Sequence, residues 1–370
     1  MEAAIVHDYF VQDGGAEKVV VELARLLPSA RVFTTFFDAQ RFGDRIDPAR
    51  VHAWRLSGRF DERRFRALLP LYPAYFSALD LRGYDLVVSS SSAFAKAIRT
   101  SRRHLHVAYI HAPMRFAWQF REYEEASSLR RPARLAGSLL SGPLRTWDRR
   151  TARQPDMLVA NSRTVRDRIR RWWGRDAEVI YPPVDVDEMP LAGGDDGYLL
   201  IAARLLGYRR VDLAVDAANA TGRRLIVVGD GPERRALERR AGPSVTFEGF
   251  VPRARLIELF ARCTAYLVPG EEDFGIAAVE AMACGKPVVA LNRGGTAETV
   301  VDGVSGVLFD EQSADGLCVA LERLDGLDLD PLAIRANAER FDRSAFRAAF
   351  GELLVRAGAD PSLLALDSRV

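Results

Sequence analysis

The sequence predicts an α/β protein of two domains, each built on a parallel sheet. Three observations carry this expectation. The chain has 370 residues, 48% of them hydrophobic, enough to bury two cores rather than one. Short apolar runs alternate with helix-forming stretches along most of its length, the pattern of strands joined by helical crossovers. Several of these runs open directly into glycine loops, which place backbone amides at the carboxyl edge of a parallel sheet.

In chain order, residues 3–6 read as a strand, Gly14-Gly15 as a loop and residues 16–27 as a helix. Strands are expected at 31–35, 86–89, 107–110 and 157–160. Asn161-Ser162 then opens a helix over 164–173, with Ser162 as its N-cap. Tyr181-Pro182-Pro183 is stiff and cannot continue a sheet, so the domain boundary is expected there, with a first domain over 1–180. The second domain, 181–343, starts with a strand at 198–202 and continues with a strand at 224–228, a strand and turn at 245–251, and strands at 265–268 and 288–291. A short helix over 276–284 is stopped by Gly285 and Pro287. A last helix covers 344–357 within the terminal segment 344–370. Residues 51–84 and those after 358 carry no readable pattern.

Composition narrows the function. A net charge of +2 argues against a nucleic-acid-binding protein, and only Lys18, Lys96 and Lys286 among 52 basic residues are lysine. Cys263, Cys284 and Cys318 lack metal-ligand spacing and read as reduced core residues of a cytoplasmic protein. No run approaches the ~18 apolar residues that a membrane span needs, and the start of the chain reads directly as a strand, not as a signal peptide. Residues 129–153 carry seven arginines interleaved with Leu, Trp147 and Pro. They suit either peripheral contact with an anionic membrane or a solvated helix face. Asp185-Val186-Asp187 imitates a metal-binding D-x-D motif but sits in the linker, so no metal is assigned to it.

The chemistry concentrates after residue 265. Glu280 is the one charged residue on an otherwise apolar or small-residue helix. A carboxylate there is costly without hydrogen-bond donors, and a vicinal diol such as a ribose would supply two. The helix start, Phe274, Gly275, Ile276 and Ala277, offers amides to a phosphate or sugar oxygen. Glu272 lies eight residues earlier, on the loop, from where it approaches the same ligand from another side. Arg204 and Arg209 flank a glycine turn at a strand end and suit a pyrophosphate clamp, surface charge being the bland reading of either alone. Gly229-Asp230-Gly231 holds two of three dinucleotide glycines, with Arg234 in the third position, weak evidence for NAD. The loop 292–298, with Gly294-Gly295, is another candidate phosphate cradle. In the first domain, Gly14 and Gly15 make either an amide cradle or a plain tight turn. His111 ends a strand before Pro113, either meeting a polar ligand or making one structural hydrogen bond.

The Glu272 and Glu280 spacing, with Phe274-Gly275 and the Ala-rich helix between, resembles the E-x7-E signature of retaining family 4 glycosyltransferases. That resemblance implies the GT-B fold, two Rossmann-like domains with parallel sheets facing across a cleft, and a last helix returning to the first domain. It implies that Glu272 lies by the donor sugar, Glu280 binds the nucleotide ribose, and Val251 and Arg253 lie beside the base. His111 matches a functional histidine of the family. Arg204 matches its clamp arginine, and Arg209 stands where the family has lysine. The segments from His7 to Glu17 and from Tyr109 to Trp118 are similar to bacterial mannosyltransferases of O-antigen and polysaccharide synthesis. The implied reaction is transfer of mannose from GDP-mannose to a lipid-linked or soluble saccharide, with arginines in place of a metal and no cofactor beyond the nucleotide-sugar co-substrate. A UDP-sugar enzyme of the family, a sugar-nucleotide 2-epimerase of the same fold, and a non-catalytic nucleotide-sugar-binding module are the alternatives.

Overall fold

The computed structural model describes residues 1–56, 65–101, 104–119, 131–191 and 194–365. Of the arginine-rich stretch, Leu129 and Arg130 lie outside the described residues. The chain divides into two compact units. One comprises residues 1–118, 141–183 and 343–370; the other comprises 119–140 and 184–342. The expected first boundary, 180/181, compares with 183/184 here, and the second, 343/344, with 342/343.

The first unit is built on β1 (Ala3–His7), β2 (Arg31–Thr34), β3 (Val51–Ala53), β4 (Leu86–Ser91), β5 (Leu105–Ile110), β6 (Met157–Ala160) and β7 (Glu178–Val179). Their order among the described residues is β3-β2-β1-β4-β5-β6-β7, with every pairing parallel. β1 is buried along its whole length, as befits a strand with helices on both faces. Ser162 caps the helix Arg163–Trp173 by accepting from the Val165 amide, and Gly174 ends it in the left-handed region at φ 68°. The last helix, Arg343–Arg356, lays Phe346, Phe350, Leu353 and Leu354 into the core that holds Val19, Leu23 and Tyr109. Arg347 bonds the buried Glu22 at 2.6 Å, fixing this helix against Gly15–Leu26.

The second unit contains β8 (Tyr198–Ala202), β9 (Arg224–Val228), β10 (Val245–Gly249), β11 (Ala265–Val268), β12 (Val288–Leu291) and β13 (Gly306–Phe309), all parallel, in the order β10-β9-β8-β11-β12-β13. In both sheets the order reverses beside the first strand of the unit: between β1 and β4, and between β8 and β11. Those reversals open a crevice outside the carboxyl ends of the strands, where open α/β sheets bind their ligands. The loops that carry the sequence-selected residues are the ones that leave these strands.

Candidate functional site

In the second unit, β8 runs into the turn Gly207–Arg209 and β11 into the loop 269–275. Gly270 has no room for a side chain: a Cβ there would lie 2.5 Å from the Tyr208 carbonyl oxygen and 2.7 Å from the Arg209 carbonyl. The glycine therefore lets the two loops meet, and Arg209 forms an ion pair with Glu272. The Arg209 Nε is buried with no hydrogen-bond partner among the described residues, so the guanidinium keeps an unspent donor in the site. Arg204 is exposed and forms no ion pair among the described residues.

The loop 292–298 packs its glycines against the Glu272 loop. Gly295 donates to the Glu272 carbonyl at 2.8 Å. A Cβ on Gly294 would meet that same oxygen at 2.5 Å, and one on Gly295 would meet Phe274 Cα at 2.3 Å. These glycines serve close backbone approach, and the loop braces the Glu272 segment. Gly229, with φ 116°, plays a similar part, since a Cβ there would lie 2.0 Å from the Ala203 carbonyl oxygen. Its amide donates to Gly249 at 2.7 Å, so a ligand would find no donor on Gly229.

The short helix is Ile276–Ala283, entered through Gly275 at φ 94°. A Cβ on Gly275 would lie 2.7 Å from the Thr296 methyl, so both conformation and crowding require glycine there. The first intrahelical bonds go to the Ala278 and Val279 amides, which leaves the Ile276 and Ala277 amides at the helix start as donors. Glu280 is only 4% exposed. The buried carboxylate has found its counter-charge in Arg253, whose Nη2 lies 3.0 Å from Oε1. Burial works against the Arg253 charge, but Glu280, with Glu188 and Asp185 behind it, outweighs burial and the guanidinium pKa rises. The sequence had selected Arg253 only as a base contact by resemblance; its pairing with Glu280 was not foreseen. Val251 is half-buried at the turn that follows β10.

In the first unit, Gly14 is the N-cap of the helix Gly15–Leu26. Its amide donates to the Gln12 carbonyl at 3.0 Å and also faces the Glu17 carboxyl, which reaches back over the helix start. This is the reciprocal half of a capping box. The expectation that both loop amides are offered to a ligand is therefore corrected: the Gly14 amide is engaged within the loop. Burial, then nearby Asp13 and Asp8, push the Glu17 pKa up to about 8.

His111 follows β5, and its Nε2 lies 2.7 Å from Ser90 Oγ. Ser90 is paired in register with His7 of β1 and Tyr109 of β5, and its Oγ and carbonyl oxygen each lie 3.2 Å from His7 Nδ1. Asp8 accepts from four successive amides, Ser92, Ala93, Phe94 and Ala95, at 2.6–3.0 Å. It thereby fixes the loop that leaves β4. Neither Asp8 nor the serines were selected from the sequence. The signal was present in Ser89-Ser90-Ser91, three buried polar residues on one strand, which need partners to be tolerated.

Two sequence profiles match the chain: Glycosyltransferase Family 4 over residues 13–188 and Glycosyl transferases group 1 over residues 188–339. Among curated relatives, a D-inositol 3-phosphate glycosyltransferase of Acidothermus cellulolyticus is 36% identical over 166 residues, 40% of this chain and 36% of that protein. A GDP-mannose-dependent alpha-(1-6)-phosphatidylinositol monomannoside mannosyltransferase of Mycolicibacterium smegmatis is 29% identical over 209 residues, 48% of this chain and 55% of that protein. The chain thus spans about half or less of the length of these relatives. Among solved structures, HepE of Anabaena in complex with UDP-glucose superposes with a TM-score of 0.68 at 20% identity, covering 96% of this chain and 100% of that one. Sucrose-phosphate synthase of Thermosynechococcus elongatus gives 0.68 at 18% identity, covering 96% and 99%. With two parallel-sheet units and profiles that together take in residues 13–339, the chain belongs to the family 4 glycosyltransferases of the GT-B fold.

Proposed function

We propose that the chain transfers mannose from GDP-mannose to a saccharide acceptor, lipid-linked or soluble, with retention of anomeric configuration. The observation that supports a nucleotide-sugar site is the pair of glutamate–arginine contacts: Glu272 with Arg209, on the loops that leave β11 and β8 at the reversal of the second sheet, and Glu280, on the helix Ile276–Ala283, with Arg253 after β10. Glycosyl transfer leaves negative charge on the departing diphosphate. In this reading Arg204 and Arg209 take up that charge, together with the Ile276 and Ala277 amides behind Phe274 and Gly275. No metal is assigned to the step. Glu280, held by Arg253, accepts from the ribose hydroxyls, and Val251 borders the base. Glu272 and His111 address the transferred sugar.

Mannose is supported by the likeness of the opening and His111 segments to mannosyltransferases, and by the Mycolicibacterium relative named for GDP-mannose. A UDP-sugar donor is the second reading, favoured by HepE having been solved with UDP-glucose. Melting curves with GDP-mannose, UDP-glucose, UDP-galactose and UDP-GlcNAc separate the two. Greater stabilisation by GDP-mannose is expected; preferential stabilisation by a uridine nucleotide would overturn the GDP assignment.

In this reading the reaction is cytoplasmic, and the arginine-rich residues 129–153 suit an anionic membrane surface or a solvated face. Among the described residues no helix is long and apolar enough to cross a membrane. Arg145 and Arg149 donate to the Ala117 and Trp172 carbonyls, while Arg150 and Arg153 are exposed for such a surface.

A further inference from the structure

We infer that Ser90 and His7 are positioning residues that set the tautomer of His111, through a one-way hydrogen-bond chain across β1, β4 and β5. The inference rests on the functional reading of His111 given above.

The direction of the chain follows from what each atom can do. His7 Nδ1 lies 3.2 Å from the Ser90 carbonyl oxygen, and a carbonyl oxygen only accepts. His7 therefore carries its proton on Nδ1. Asp8 and the backbone at Ser90 and Tyr9 favour the charged ring, but burial outweighs them and lowers the His7 pKa, which keeps the ring neutral. The same Nδ1–H lies 3.2 Å from Ser90 Oγ, so the hydroxyl accepts from His7. Its single proton is left for the other neighbour, His111 Nε2, at 2.7 Å. A nitrogen that accepts from a hydroxyl is unprotonated, so a neutral His111 carries its proton on Nδ1. The result is His111 as a donor through Nδ1, not a base through Nε2.

The surrounding packing holds this arrangement. His7 and Ser90 face each other in the β1–β4 register and are 2% and 0% exposed. Phe10 packs edge-on against the His7 ring at 4.8 Å, and Tyr109 packs against the His111 ring at 5.1 Å. Tyr109 is itself anchored by its hydroxyl, which donates to the Ile180 carbonyl at 2.9 Å. Asp8 fixes the loop after β4, so the Ser90 hydroxyl cannot swing away with it.

The test is imidazole nitrogen NMR on the whole chain, whose five histidines are assignable by substitution, combined with steady-state kinetics. In the wild type His111 is expected as the neutral Nδ1–H form. Ser90→Ala should release it into a mixture of tautomers and lower kcat about tenfold, with the donor KM within about twofold. Ser90→Thr should restore both the tautomer and most of the turnover. His7→Phe, a close fit to the ring's space, provides a second break should Ser90→Ala fold poorly; it too should mix the His111 tautomers. A wild-type His111 protonated on Nε2 overturns the proposal, as does a tautomer unchanged in both broken variants. A His111→Ala variant with undiminished turnover overturns the functional reading beneath it, whatever the spectra show.

Discussion

Arg209 pairs with Glu272 inside the second unit, so in the proposed reading a donor diphosphate competes with a carboxylate for the same guanidinium. The planar fork makes that exchange feasible, since it can keep one edge on Glu272 while another meets a phosphate oxygen, and its Nε has no partner among the described residues. Arg209→Ala should lower turnover at saturating donor roughly a hundredfold, the scale of removing one donor to a developing negative charge. Arg209→Lys should keep much of the activity, because the charge remains. An alanine variant with near-normal turnover would show that Arg204 and the helix-start amides suffice. Glu280 serves folding as well as any ligand: Glu280→Gln leaves Arg253 partly buried without its anion. Urea unfolding without nucleotide should show a loss of about 1–3 kcal/mol. Unchanged stability would mean that water compensates Arg253 fully.

At the scale of single elements, the helix Gly15–Leu26 depends on pH through Glu17. Its folded pKa of about 8 lies above the ordinary 4.5, because burial disfavours the charged form. The contribution of Glu17 to stability is therefore complete below about 4.5 and is lost as pH rises through about 8. Glu17→Gln keeps an acceptor for the Gly14 amide and removes the ionisation. The stability difference between variant and wild type should shift in favour of the variant from pH 5 to pH 9, read by urea unfolding at each end; a constant difference would contradict this. Elements were also where the sequence was most legible. Strands Tyr198–Ala202, Arg224–Val228, Ala265–Val268 and Val288–Leu291 lie where their apolar runs indicated, because a strand covered on both faces reads as a continuous hydrophobic block. β3, β7 and β13 were missed: the first two are three and two residues long and mostly exposed, and the third is a buried run of only four residues that starts on a glycine, too short to read.

For the whole molecule, two Rossmann-like sheets were legible because alternation of strand and helix leaves few other topologies. The E-x7-E spacing similarly announced Glu272 and Glu280. What the sequence could not show was pairing at long range. Arg253 meets Glu280 across 27 residues and Arg209 meets Glu272 across 63, contacts that no local spacing encodes. Nor could it say that Gly294 and Gly295 serve backbone approach, since a phosphate loop asks for the same residue. The polar chain from His7 through Ser90 to His111 depends on the β1–β4–β5 register, which only the folded sheet supplies.

The central claim is that the two glutamate–arginine pairs of the second unit form a nucleotide-sugar site, and calorimetric titration tests it most directly. GDP-mannose should bind the wild type, and Glu280→Gln, confirmed folded by its melting curve, should bind about 5- to 30-fold more weakly, the equivalent of about 1–2 kcal/mol for one charge-assisted ribose contact. Equal affinity in the folded variant, or no binding of any nucleotide sugar by the wild type, would contradict the account.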